Sequence, residues 1–242
     1  MRVAPAKRPS KNRDKLLAAG RRLFAEKGFA ETGTEEIVRE AGVTRGALYH
    51  QFADKQDLFQ AVLEKMLPEI GQRLFDETMS KIKADREDLK VGCQVLLGIY
   101  ADPEVRRLFL IEGPAVLGFL NWKTLQAPLS KLFLDHALQH LVDEGILPSA
   151  DKDPIGDLLA GALQQAGLGI AAAADVETAR AHYGAAMDRL VDGLMAGPGG
   201  TVFCCKLIVM RGLDPRIHVL RPVKTWMAGS SPAMTWFFDL ET

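Results

Sequence analysis

Gly42-Val43-Thr44-Arg45-Gly46-Ala47-Leu48-Tyr49-His50-Gln51-Phe52 is the stretch on which the fold turns. Gly42 tolerates the left-handed conformation that ends a helix. Thr44 is placed to N-cap the next one, and Ala47, Leu48 and Phe52 give that helix, about 45–52, an inward face. Upstream, Ile37, Val38 and Ala41 make the apolar side of a short helix over about 34–41. Thr32 to Glu35 matches the capping-box pattern, with Gly33 and Thr34 as rival N-caps. Further upstream, Leu16, Ala19, Leu23 and Phe24 recur at helical spacing between Lys11 and Lys27, and Lys27-Gly28 is a helix-closing pair. Downstream, Asp54 caps a long fourth helix with Leu58, Phe59, Val62, Leu63 and Met66 inward and Pro68 as a kink point. Two short helices around a glycine turn, the second beginning with small polar residues, are the layout of a helix-turn-helix.

The same periodicity continues. It predicts helices at about 68–82, 86–100, 103–112, 115–146, 152–174 and 175–196, punctuated by Pro103, Gly113-Pro114, Gly145, Pro148 and Pro154. No strand pattern precedes residue 200, so the fold class is all-α. Residues 1–10 read as a disordered basic arm. After Gly197-Pro198-Gly199-Gly200 the helical period stops. Residues 198–242 therefore read as a tail, expected to be poorly ordered and dispensable for DNA binding.

Charge divides the chain in the same places. Residues 1–60 carry a net +4, residues 61–200 a net −7 and residues 201–242 a net +2, within a total of −1. A basic head on an acidic body fits a head that meets an anion. Chance variation of charge along the chain is the alternative. The 242 residues suffice for a core without disulfides or metal. No apolar run reaches the roughly 20 residues of a membrane span, and the basic N-terminus lacks the apolar segment of a signal peptide. Cys93 stands alone and Cys204 and Cys205 are adjacent, so no zinc spacing exists and a reduced, cytoplasmic protein is expected. The sequence has no Gly-rich phosphate loop, no His-Glu-x-x-His metalloprotease pattern and no Gly-x-Ser-x-Gly elbow. His136 and His140 have chelating i, i+4 spacing, but no third ligand is evident. No metal, no cofactor and no enzyme activity are expected.

Arg13, Leu16-Leu17, Ala19, Leu23-Phe24, Lys27-Gly28-Phe29, Thr32, Ile37, Glu40 to Thr44, Gly46 to His50, Phe52 and Lys55 to Leu58 closely resemble the DNA-binding domain of the tetracycline-repressor (TetR) family. The resemblance covers about 47 residues, residues 13–59. There are two departures. Gly20 stands where the family usually has Ala, at roughly 1 kcal/mol of helix propensity. Gly33 stands where it usually has Ser or Thr, which removes one phosphate-binding hydroxyl that Thr32 or Thr34 would have to replace. The resemblance implies a helix-turn-helix domain over 11–57 and a helical effector-binding and dimerisation domain over 58–197.

The implied DNA contacts are Thr34, Thr44, Arg45, Gly46, Ala47, Tyr49, His50 and Lys55. Small residues at 44, 46 and 47 let the helix approach a major groove closely. Arg45 can pair bidentately with guanine O6 and N7. Tyr49 and His50 carry donors for phosphates or base edges. Lys55 is a cation in the first turn of its helix, against the helix dipole, which makes sense if it meets a phosphate.

For the body, Cys93, Gln94, Leu97, Tyr100, Phe109, Phe119, Trp122 and His136 are candidates to line an effector pocket, with ordinary core as the equally open alternative. Leu158, Leu159, Ala162, Leu163, Ala166, Ile170, Tyr183, Met187, Leu190 and Leu194 are candidates for a four-helix dimer seam. The alternative there is that both helices bury within one subunit. In the tail, Arg211–His218 and Trp226–Thr235 look like peptides encoded by dispersed repeats of GC-rich bacterial genomes. The expected protein is a homodimeric, ligand-released repressor of a palindromic double-stranded DNA operator. A DNA-binding module answering to a partner protein, and a helical enzyme, are the alternatives.

Overall fold

The computed structural model describes residues 11–82 and 87–196. The expected basic arm and the expected tail lie outside the described residues. The helices are α1 Lys11–Lys27, α2 Thr34–Ala41, α3 Arg45–Gln51, α4 Lys55–Lys81, α5 Asp88–Ala101, α6 Gly113–Leu117, α7 Phe119–Asp143, α8 Lys152–Ala172 and α9 Val176–Met195. A π-helical segment, Val105–Glu112, joins α5 to α6, and a single 3-10 turn, Ser149–Asp151, leads into α8. Among the described residues there is no strand, and no helix is long and apolar enough to cross a membrane.

The first three helices form where the sequence places their boundaries. Gly42 adopts φ 61°, and its N–H closes α2 on the Arg39 carbonyl. Thr44 Oγ accepts from Ala47 N and caps α3. Asp54 caps α4 through Asp57 N. Their inward faces meet in one core of Leu16, Leu23, Phe24, Ile37, Leu48, Phe52, Leu58 and Phe59, all essentially inaccessible to water. Phe24, Phe29 and Phe59 form an aromatic cluster with centroids 5.2–5.7 Å apart, the tilted and edge-on geometry that ring quadrupoles prefer.

The capping box is not formed. Gly33 is the N-cap of α2 and supplies no side chain. Thr32 is fully buried instead, and its hydroxyl donates to the Gly28 carbonyl at 2.7 Å and reaches the Leu23 carbonyl at 3.3 Å. A buried hydroxyl needs a partner, and the open carbonyls at the end of α1 supply it.

Pro68 does not divide α4, which runs unbroken for 27 residues, roughly 40 Å. Pro68 is exposed, so its ring points into solvent, where omission of the N–H is least costly. A break does occur at Gly118, whose φ of +78° separates α6 from α7 within the stretch expected to be one helix. Downstream of Met66 the core continues through Ile70 and Leu74 of α4 to α5, which is buried along most of its length. Helices α4, α7, α8 and α9 pack around α5.

The helix-turn-helix is fastened to the rest by polar groups as well as by α4. Arg21 of α1 pairs with both oxygens of Glu104 at 2.8 Å, and also with Glu69. This double pairing raises its pKa above the ordinary guanidinium value. Glu112, the last residue of the π-helical segment, accepts the Phe29 N–H at 2.6 Å. Arg107 donates to the Glu26 carbonyl at 3.1 Å.

Candidate functional site

The exposed face of α3 carries most of the residues expected to touch DNA. Thr44, Arg45, Gly46, Tyr49 and His50 are exposed, Ala47 and Thr34 are half-buried, and Leu48 alone turns fully into the core. The Thr44 oxygen accepts the capping bond from Ala47 N at 3.2 Å. Its O–H donor is left for a second partner. Arg45 rests 3.6 Å from Glu35 and 5.6 Å from the centroid of the Tyr49 ring. Both members of that ion pair are exposed, so releasing Arg45 to another acceptor costs at most about 1 kcal/mol. Tyr49 keeps about half of its surface open although it is aromatic, which is unusual for a residue needed only for packing. His50 Nδ1 lies 3.0 Å from Gln51 Nε2.

Lys55 has a role that the sequence did not reveal. Its Nζ donates to the Phe29 carbonyl at 2.8 Å and the Thr32 carbonyl at 3.0 Å, and it sits 4.2 Å from the centre of the Phe29 ring. The ammonium thus closes the loop between α1 and α2. Its third N–H is left for another acceptor.

The body holds a cavity of about 410 Å³ between the C-terminal half of α4, the start of α5 and the middle of α7. Leu74, Phe75, Met79, Leu129 and Phe133 make apolar walls, and Asp88, His136 and His140 stand at a polar end. The Thr78 hydroxyl on the wall is buried and has no hydrogen-bond partner. Of the eight residues expected to line a pocket, only His136 lines this one. Cys93, Leu97, Tyr100, Phe109 and Trp122 are core. The Cys93 thiol is pushed up to about 12 by burial. Gln94 is spent on the Gly184 carbonyl and Asp188 of α9, and Phe119 faces outward. The five core residues face the centre of the bundle, whereas the cavity lies between the later part of α4 and the middle of α7. Helical periodicity cannot distinguish the two kinds of apolar face.

The residues expected at a dimer seam fall into two groups. Leu159, Leu163, Ala166, Ile170 and Met187 are buried inside the chain and pack against its own helices. Leu158 and Leu190 remain 73% and 56% exposed, and Ala162, Tyr183 and Leu194 are half-buried. Helix α8 is apolar on two faces, and the residues one position apart belong to different ones.

Comparison with known proteins follows this division. Residues 16–62 match the family described as bacterial regulatory proteins, tetR family. Residues 86–194 match the tetracyclin repressor-like C-terminal domain. The crystal structure of a TetR-family transcriptional regulator from Pectobacterium atrosepticum has 30% sequence identity and a TM-score of 0.68, covering 78% of this chain and 96% of that one. The HTH-type transcriptional regulator AcrR of Shigella flexneri is 37% identical over 102 residues, 41% of this chain and 46% of that protein. The HTH-type transcriptional repressor AcnR of Corynebacterium glutamicum is 37% identical over 113 residues, 44% of this chain and 60% of that protein. The chain therefore matches about half the length of these curated relatives.

Proposed function

Given that this chain belongs to the TetR family of bacterial regulatory proteins, we propose that it is a homodimeric repressor that grips a near-palindromic operator and lets go when a small molecule enters the cavity of the body. The observation that carries this reading is the exposed set Thr44, Arg45, Tyr49 and His50 on a helix whose opposite side, Leu48, is anchored in the core. Arg45 reads bases, and Thr44, Tyr49, His50 and the remaining donor of Lys55 hold phosphates. In a dimer two copies of α3 enter successive major grooves, roughly 34–36 Å or somewhat more apart. The exposed residues Leu158 and Leu190, with Ala162, Tyr183 and Leu194, form the dimer seam.

Helix α4 links the two activities. Its first residue, Lys55, fastens the α1–α2 loop, and its last turns line the cavity. A ligand that fits better when α4 and α7 are spread shifts the population toward that state, and it does so only by its difference in affinity for the two states. DNA then weakens ligand binding by the same factor. A ligand-sized cavity favours this over control by a partner protein.

The test is to footprint the purified protein on the DNA upstream of its own gene and then to screen small molecules for release. A protected near-palindrome whose affinity falls steeply with salt is expected. Absence of any salt-dependent protected site would overturn the proposal.

A further inference from the structure

The polar end of the cavity holds more than a ligand-orienting group. Asp88, the first residue of α5, is buried, and one of its carboxylate oxygens accepts the Leu89 N–H at 2.7 Å. The other lies 2.7 Å from His140 Nδ1. His136, one turn before His140 on α7, stacks edge-on against it with ring centroids 4.5 Å apart. One donor atom from each of the three residues lies within 4.8 Å of the other two. A tetrahedral ion with ligand bonds of about 2.0–2.1 Å holds its ligands roughly 3.4 Å apart. Modest side-chain rotation therefore closes the triangle. The carboxylate comes from α5 and the histidines from α7, separated by 52 residues between Asp88 and His140, and the fold brings them together.

We propose that Asp88, His136 and His140 form a binding site for a divalent first-row transition-metal ion of the zinc class. Three observations converge on it. Two histidines at i, i+4 put both imidazoles on one helix face. The carboxylate is buried at the start of α5, with one oxygen on the Leu89 N–H and the other turned to His140. The three groups face an apolar chamber whose Thr78 hydroxyl lacks a partner. Two nitrogens and one oxygen suit zinc, cobalt or nickel better than magnesium or calcium, which take oxygen donors. Three protein ligands leave a coordination position open. All three side chains line the chamber, so a small, mostly apolar molecule with an oxygen donor that enters it would complete the shell.

This inference deepens the reading of the cavity as the effector chamber, but ion binding is measured without DNA, so either can fail alone. The full-length protein, stripped with a chelator, is titrated with zinc against a chromogenic competitor, and with cobalt while the visible spectrum is recorded. One histidine-dependent ion per chain is expected, with four-coordinate cobalt bands and no thiolate charge-transfer band. That last feature separates the site from binding at Cys204 and Cys205. H136Q should weaken zinc binding at least about tenfold. Because His136 is exposed, this variant keeps the fold, shown by an unchanged far-ultraviolet circular dichroism spectrum. D88N is the second variant and should weaken binding similarly. If wild-type protein and H136Q bind zinc alike, or if the wild type takes up no ion at micromolar zinc, the three side chains form only a hydrogen-bonded cluster and the proposal is wrong.

Discussion

Replacing Lys55 with methionine tests the loop-closing role of this residue. The substitution keeps most of the apolar stem and removes the ammonium. Two charge-assisted hydrogen bonds disappear, to the Phe29 carbonyl at 2.8 Å and the Thr32 carbonyl at 3.0 Å, together with the contact 4.2 Å over the Phe29 ring. Hydrogen bonds to charged groups contribute about 1.5–3 kcal/mol each when desolvated. Lys55 is half-buried and water can reach the carbonyls it leaves, so each bond here is worth well under that. Adding about 0.5 kcal/mol for the ring contact, the net loss is about 1–2 kcal/mol. For a folded body of this size that corresponds to a Tm lower by about 2–8 °C. Differential scanning calorimetry at fixed pH and salt measures it. A Tm within one degree of the wild type would show that the bonds to the loop contribute nothing. DNA binding by the same variant gives an independent reading of the third N–H, since loss of one phosphate contact lowers the salt slope by about one.

The remaining predictions concern separate faces. Arg45→Ala should leave Tm unchanged, because its pairing with Glu35 is exposed. It should cost about 1–3 kcal/mol of discrimination at one operator position, and unaltered sequence preference in a binding-site selection would remove Arg45 from base reading. Leu190→Asp should weaken dimerisation at least about a hundredfold by placing carboxylates in an apolar seam, with a monomer seen by sedimentation velocity; an unchanged sedimentation coefficient would put the seam elsewhere. Cys93 should resist iodoacetamide at pH 8.5 until urea is added, because the thiolate is the reactive form and burial pushes the thiol up to about 12. The unfolded chain then ionises first, so this residue draws stability down as pH rises from the ordinary thiol range toward that value. Rapid labelling of the Cys93 peptide in native buffer would contradict the burial.

The head was legible because local rules set it. Gly42, Thr44 and Asp54 end and begin helices through bonds made within four residues, and all three do so in the structure. What escaped was whatever depends on long-range neighbours. Lys55 looked misplaced because its partners, Phe29 and Thr32, lie 26 and 23 residues away. Trp122 and Phe109 looked like pocket walls because an aromatic ring at helical spacing signals burial, not what it is buried against. Leu158 and Leu159 are adjacent in sequence, yet one faces solvent and the other the core. The third partner of His136 and His140 was invisible for the same reason, since nothing near them in sequence points to Asp88.

Pro68 gives α4 a mechanical character. A proline inside a helix leaves the carbonyl four residues earlier, that of Glu64, without its helical donor, so bending stiffness is lowest there. Lys55 stands 13 residues before it, roughly 20 Å along the axis. A bend of five degrees at Pro68 therefore swings the Lys55 end by about 1.7 Å, half the 3.4 Å rise between successive bases of one DNA strand. The cavity begins at Gly71, on the other arm of this lever. A substitution that stiffens the joint, Pro68→Ala, leaves both arms intact and changes only the gearing between them.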